Sequence, residues 1–462
     1  MPALELAARI REGEVSPVDA TDAVLAQIDR LNPKLNAYVT LTADAARESS
    51  RLAEKALGEP GAELGPLHGV PISVKDMIWT KDVRTTFGSK LRENFVPPED
   101  APAVERAKAA GAVIIGKTNT PDHGWRGVTH NPLFGATRSP WNLELTPGGS
   151  SGGASASLAA GMAPLAIGSD AGGSLRIPAS FAGVVGFKPT FGRVSTHPQS
   201  PAWSLAHVGP MSRTVADSAL LLGAISGPDD RDPHCLPADD VDYLTALEGD
   251  LRGLRVAWSG TFGYATVDPE VLAACEKAAM RFAEFGASVE VVDPDWPDPR
   301  PAWRATWIGG AATRFASVIE EQPDALDPEL VDALGEIKDW GPTTYANAWF
   351  ERLAFVDHAR KFFDSYDLLL SPTTACAAFE VETDGPGQIA GQPGTHLNWN
   401  SFGPPFNMTG QPAISVPCGF TDDGRPIGLQ IAGHRFEDAT VLRAAARFEE
   451  AQPWADHRPP IS

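Results

Sequence analysis

Positive charge is scarce in this chain: 38 Lys and Arg stand against 59 Asp and Glu in 462 residues, a formal net charge of −21. Such a balance repels nucleic acid and anionic lipid, so neither is expected as a partner. Cysteine is scarcer. Cys235, Cys275, Cys376 and Cys418 are far apart, with no C-x-x-C spacing and too few for a disulfide framework, so they read as reduced thiols. No apolar run reaches the ~20 residues that cross a bilayer. The opening residues, MPALELAARIREGEVS, mix both charges and lack the order of a signal peptide. A cytoplasmic protein is the expectation. The ten histidines form no i, i+4 pair around a glutamate, and His234-Cys235 stands alone, so no metal site is expected.

What the chain has instead is apolar mass and clustered glycine. With 43% hydrophobic residues it can bury a large core, as one big domain or two. The densest stretch is Thr146 to Pro178, TPGGSSGGASASLAAGMAPLAIGSDAGGSLRIP. Gly148, Gly149, Gly152 and Gly153 bracket Ser150 and Ser151, while Gly172 and Gly173 precede Ser174. A nucleophilic serine needs an exposed hydroxyl, a base and backbone N–H groups aimed at an oxyanion, and glycine lets a turn supply them. Two such turns suggest two serines working together. A flexible linker is excluded by Ala154, Leu158, Met162, Leu165 and Ile167 between the clusters, which predict a helix leading into a strand. No G-x-x-x-x-G-K-[ST] is present, which excludes a phosphate-cradling loop of that kind. Gly149 to Gly153 also matches the G-x-S-x-G elbow of α/β-hydrolase esterases, with Ser151 as nucleophile. That motif needs an apolar strand directly before it, and NLELTP is a poor one.

Along the chain, Leu4 to Ile10 and Ser16 to Leu31 read as helices, the second capped by Ser16 with Pro17 at its first position. Val70, Ile72 and Val74 predict a strand ending at Lys75 and Asp76. Taken alone, Lys75 is a solvated surface charge. Ala101 to Ala110 is a helix closed by Gly111 before a strand at Ala112 to Ile115, and Pro269 to Phe285, Gly286 and Ala287 to Val292 repeat that order. Such units imply an α/β sheet layered by helices. Lys117 to Trp141 is an ordered loop near the site, Phe181 to Val194 a strand and turn, and Gly209 to Ala224 a helix capped near Thr214. Gly227 to Gly253 is an acidic, proline-rich hinge short of a domain boundary. A strand at Leu368 to Leu370 stops at Pro372. Ala413 to Val416 and Ile427 to Ile431 make a hairpin around Asp423-Gly424, followed by a helix at Ala439 to Ala451. Trp303, Trp307, Trp340 and Trp349 read as core and pocket wall.

GGSSGG, the run Asp170 to Pro178, GFKPT at Gly186 to Thr190, GKTNTP at Gly116 to Pro121, NMTGQPAISVP at Asn407 to Pro417 and the strand ending at Lys75 together resemble the amidase signature family. The resemblance covers nearly the whole chain. It implies one α/β domain over 1–462, with a central mixed, mostly parallel sheet covered by helices on both faces. Within it, 60–225 would be the catalytic core, 226–400 a variable substrate-pocket region and 401–462 the C-terminal hairpin and helix. Carried over by position, Ser174 is the nucleophile, Ser150 a bridging serine often on a cis peptide, and Lys75 the base. The N–H groups of Ala171, Gly172, Gly173 and Ser174 would form the oxyanion hole. Ser151 and Asp170 would hold the site by hydrogen bonds, and Arg176 would pair with a carboxylate. No cofactor is implied. Ala171 and Ala182 depart from the Thr and Cys common in the family, but neither position supplies a reacting side chain.

The chemistry demands a neutral lysine. At an ordinary pKa of about 10.4 only about 0.04% of Lys75 would be uncharged at pH 7, so burial must lower that value. The expected activity is hydrolysis of a carboxylic amide to acid and amine through an acyl-Ser174 intermediate, on a small-molecule substrate, with a homodimer left open. Trp125, Trp399, Phe402 and Phe406 lie in loops expected to face the pocket, which favours an aryl or bulky apolar amide. Anilides, urethanes and oligoamides stay open. The alternatives are the A subunit of a glutamyl-tRNA amidotransferase, the Ser151 esterase, and a silent binding protein. Against the first, Asn398, Asn400 and Asn407 stand where a carboxylate would read glutamine's ammonium.

Overall fold

The apolar runs condense into one mixed sheet, seen in a computed structural model that describes residues 1–461. Its strands are β1 (Tyr38–Leu41), β2 (Pro71–Lys75), β3 (Val113–Thr118), β4 (Leu165–Asp170), β5 (Val185–Lys188), β6 (His207–Ser212), β7 (Arg255–Trp258), β8 (Ser288–Val291), β9 (Leu368–Pro372), β12 (Ala413–Phe420) and β13 (Pro426–Gly433). A separate two-stranded ribbon, β10 (Gln388–Ile389) and β11 (Gln392–Pro393), lies between β9 and β12 in the chain. The sheet order is β1-β3-β2-β4-β6-β5-β12-β13-β9-β7-β8. β2, β3, β5 and β9 are buried at every position, as are the first six residues of β12. A strand buried on both faces must be covered on both, and helices flank this sheet.

The helices form where their ends are satisfied. Ser16 accepts from the N–H groups of Val18 and Asp19 to start α2 (Pro17–Leu35), and Thr214 accepts from Asp217 N–H to start α7 (Val215–Ile225). Gly111, at φ +91°, turns the chain out of α4 (Pro102–Ala109) into β3. The others are α1 (Ala3–Arg11), α3 (Ala43–Leu57), α5 (Gly152–Ala159), α6 (Arg176–Ala182), α8 (Pro269–Met280), α9 (Arg300–Glu321), α10 (Pro328–Gly335), α11 (Thr344–Phe363), α12 (His396–Trp399), α13 (Pro404–Thr409) and α14 (Asp438–Ala451). No helix among the described residues is long and apolar enough to cross a membrane.

Three expectations change. The sheet is not mostly parallel: six pairings are antiparallel and four parallel. Parallel neighbours need a crossover, whereas β5–β6 and β12–β13 follow one another without an intervening α-helix and run back. Phe181 and Ala182 end helix α6 rather than begin a strand. Pro178 lies within its first turn, where the missing N–H had no partner to lose. Gly209 and Pro210 lie in β6, not in the helix that follows; a Cβ at Gly209 would sit 2.3 Å from Phe187 O, so only glycine lets the strands close.

Candidate active site

β2 and β4 are parallel neighbours, with Val74 opposite Ile167, so Lys75 and the pair Ser169-Asp170 lie together at the carboxyl ends of their strands. Ligand sites collect at this position in such sheets. Lys75 is fully buried rather than solvated. Its Nζ lies 2.7 Å from Ser150 Oγ, 3.0 Å from Ser169 Oγ and 3.5 Å from Ser169 O. Burial pulls the Lys75 pKa from 10.5 down to about 7, against the opposing charge of Asp170.

Ser150 follows a cis peptide at Gly149. A Cβ at Gly149 would sit 2.5 Å from Val128 O, which explains the glycine. Ser151 N–H donates to Ser174 O at 3.3 Å, joining the two serine turns, and Ser150 and Ser174 line the same cavity. Ser151 points elsewhere. Its hydroxyl donates to Ser169 O at 3.2 Å, the residue is fully buried, and it contributes nothing to the cavity wall. Irregular backbone, not a strand, precedes it, so the esterase alternative loses both its geometry and its exposed hydroxyl.

The 171–174 turn is held from behind. Trp303 Nε1 donates to Ala171 O at 2.8 Å and Asn400 Nδ2 to Gly172 O at 2.9 Å. In a trans peptide the next N–H points opposite to the carbonyl. Gly172 N–H is therefore aimed away from Trp303, and Gly173 N–H away from Asn400 and onto Asp170 Oδ1 at 2.7 Å. Gly173 is thus a correction: its donor is occupied. The amides of Ala171, Gly172 and Ser174 have no intramolecular acceptor among the described residues.

Asp170 also accepts from Leu175 N–H at 3.1 Å and from Arg176 at 3.0 and 2.9 Å. Burial alone would raise this carboxyl, but the Arg176 guanidinium outweighs it and holds the pKa well below the usual range. Arg176 in turn reaches Gln430 Oε1 and Asn407 Oδ1, each at 2.7 Å, and Gly403 O at 3.1 Å. A buried charge on this scale survives only with every donor matched.

Of the four aromatics expected at the pocket, Trp125 lines it and three do not. Trp399 is fully buried against Phe379 and Phe181, with centroids at 5.4 and 5.9 Å, and Phe402 and Phe406 pack on Phe262 at 5.0 and 6.2 Å. Their loops fold inward because polar residues beside them, Asn400 and Asn407, are recruited to the Asp170 turn. The wall is built instead by Trp79, Phe87, Phe95, Trp307 and Phe315 around a cavity of about 160 Å³. These residues sit in stretches far apart in sequence, so no local pattern groups them. Ser169 is a further site residue that no motif singles out, while Trp303, read as core and pocket wall, and Asn400 hold the 171–174 turn from behind.

A second buried lysine went unread. Lys117 Nζ donates to Ile78 O and, at 2.8 Å, to Thr80 Oγ1, pinning the turn after Lys75 whose Ile78 and Trp79 line the cavity; GKTNTP was its signal. His130, Glu329 and Asp384 converge within 4.8 Å like metal ligands. The Arg126 guanidinium fills that position, 2.6, 2.5 and 2.9 Å from them, and also pairs with Asp327. The cluster is an arginine-centred clamp.

Known proteins resemble this chain over almost its whole length. A family model described as Amidase matches residues 19–442. An acylamidase of Rhodococcus erythropolis is 41% identical over 465 residues, covering 99% of this chain and 97% of that one. The A subunit of the glutamyl-tRNA(Gln) amidotransferase of Moorella thermoacetica is 37% identical over 486 residues, covering 100% and 98%. The crystal structure of a bacterial aryl acylamidase of the amidase signature enzymes superposes with a TM-score of 0.91 at 31% identity, covering 98% and 97%. Fold and site together define an α/β amide hydrolase. More narrowly, the chain belongs to the amidase signature family.

Proposed function

We propose that the chain hydrolyses an aryl carboxylic amide to acid and amine through an acyl-Ser174 intermediate, with Ser150 as proton relay and Lys75 as base. One observation carries this reading: a fully buried lysine Nζ lies 2.7 Å from Ser150 Oγ, in the wall of a cavity that Ser174 shares. A neutral amine has two N–H donors and one lone pair. Ser169 Oγ and O accept the two donors, which turns the lone pair to the Ser150 hydroxyl. Ser150 O–H then donates to Lys75 Nζ while its oxygen takes the Ser174 proton, and Ser174 Oγ attacks the amide carbon. The amides of Ala171, Gly172 and Ser174 stabilise the oxyanion, with Gly173 reassigned to holding Asp170. The relayed proton returns to the leaving nitrogen, and water repeats the sequence on the acyl-enzyme.

The aryl preference rests on the cavity. Its volume of about 160 Å³ is close to that of an apolar site of roughly 150 Å³ that holds benzene, and Trp79, Phe87, Phe95, Trp125, Trp307 and Phe315 line it. The acylamidase and aryl acylamidase relatives fit the same reading. The amidotransferase relative keeps a second reading in view. Against it, Asp170 is the cavity's carboxylate and is bound to Arg176, leaving none to read a free ammonium.

Ser174→Ala should lower turnover of a simple anilide by roughly 10³-fold or more and abolish labelling by a serine-reactive phosphonate. Full turnover by that variant would refute the acyl-serine route. Hydrolysis by the isolated chain, without tRNA or a second subunit, separates the two readings.

A further inference from the structure

The charges around the cavity are unequal in a way that names its substrate more closely, on the reading just given. Asp170 is neutralised by Arg176, His197 lies 3.1 Å from Glu99, and His123 contacts Asp122. Two lining residues have no such partner. Arg92 and Arg314 both face the cavity from its exposed rim, and neither pairs with a carboxylate among the described residues. They stand at the end of an aromatic wall that can be traced from the serines. The backbone at Gly124 abuts Ser150, where a Cβ would lie 3.2 Å from Oγ. The adjacent His123 ring sits 4.6 Å from Phe315, next to Arg314, and 5.5 Å from Phe87. Phe87 leads to Phe95 at 6.4 Å, and the Arg92 guanidinium lies 4.9 Å over the Phe95 ring.

We infer that Arg92 and Arg314 select an aryl amide bearing an anionic group, a carboxylate or its equivalent, at the end of the ring remote from the scissile bond. An apolar wall takes the ring, and a guanidinium offers the forked donors that a carboxylate matches. The surrounding molecule strengthens the point. With a net charge of −21 the protein repels anions at long range, so admitting one requires local cations, and here two stand without counter-charge. Both are exposed, so the selectivity they confer is moderate and weakens with salt.

Binding to the Ser174→Ala chain tests this by calorimetry, without requiring turnover. N-(4-nitrophenyl)acetamide and 4-acetamidobenzoate differ in charge at nearly constant shape, and 4-nitrobenzanilide with terephthalic monoanilide place the same change on the acyl side. A carboxylate on one of the two sides should bind roughly tenfold tighter than its nitro partner at low salt. Arg92→Gln combined with Arg314→Gln should remove that preference by weakening the carboxylate ligands roughly tenfold more than their nitro partners. Arg314→Glu should shift preference toward the 4-trimethylammonium acetanilide. Equal binding of the nitro and carboxylate ligands within twofold on both sides overturns the proposal, as does equal weakening of all ligands in the double variant. Failure of the acyl-serine route would show in hydrolysis by Ser174→Ala, not in these binding ratios.

Discussion

At the scale of the residue, Lys75 concentrates the chemistry and its energetic burden. Its pKa of about 7 when folded, against 10.5 ordinarily, follows from burial. The neutral form is the base, so kcat/KM should fall about tenfold per pH unit below about pH 6 and level off above about pH 8. The same displacement acts on stability with a definite sign. Between about 7 and 10.5 the unfolded chain holds a proton that the folded chain does not, so the penalty is full below about 7 and lifts as pH rises. Lys75→Met should therefore abolish turnover yet raise Tm, with a larger gain at pH 6 than at pH 10. A flat activity profile from pH 5 to 9, or a gain that grows with pH, would contradict a buried neutral amine. Little of this was readable locally: a lysine at a strand end is ordinarily solvated, and only distant residues brought around it, Ser150 and Ser169 among them, replace its water.

At the scale of the element, the cavity wall depends on contacts between segments with no sequence relation. Arg126 joins the loop carrying Trp125 to Asp327 and Glu329 at the start of α10 and to Asp384 beyond β9. Asp327 caps α10 by accepting from Glu329 N–H, and Leu330 one turn on lines the cavity. Arg126→Ala leaves three carboxylates converging without their cation. It should speed amide hydrogen exchange in α10 and raise KM more than it lowers kcat, since the serines and Lys75 lie on other elements. An unchanged exchange rate in α10 would show that the clamp holds nothing. The elements the sequence misassigned, α6 and β6, share a cause. Pro178 and Gly209 carry the local signature of a break, and their tolerance depends on a first-turn position and on a neighbouring strand.

At the scale of the molecule, the proline-rich stretch Gly227 to Gly253 does not divide the fold. Strand β5, before it, pairs with β12, after it, through Lys188 opposite Ala413 and Phe187 opposite Ile414. Cutting the chain there would open a sheet edge in the middle of the core. Thermal or denaturant unfolding should show one transition, coincident by far-UV dichroism and tryptophan fluorescence, and residues 1–226 alone should not fold. Two separated transitions would mean two cooperative units.

The order of amino acids alone determined the glycine-bracketed serines, the alternation of helix and strand, most caps and turns, and the family to which these motifs point. Each of those depends on neighbours in the chain, where backbone sterics and local hydrogen bonds act. The tertiary structure alone decided that Lys75 loses its water, that Gly173 N–H turns to Asp170, and that Trp399, Phe402 and Phe406 belong to the core while Phe87, Phe95 and Phe315 face the cavity. Desolvation, orientation and burial are set by whichever distant segment arrives to pack, and that is written in no single stretch.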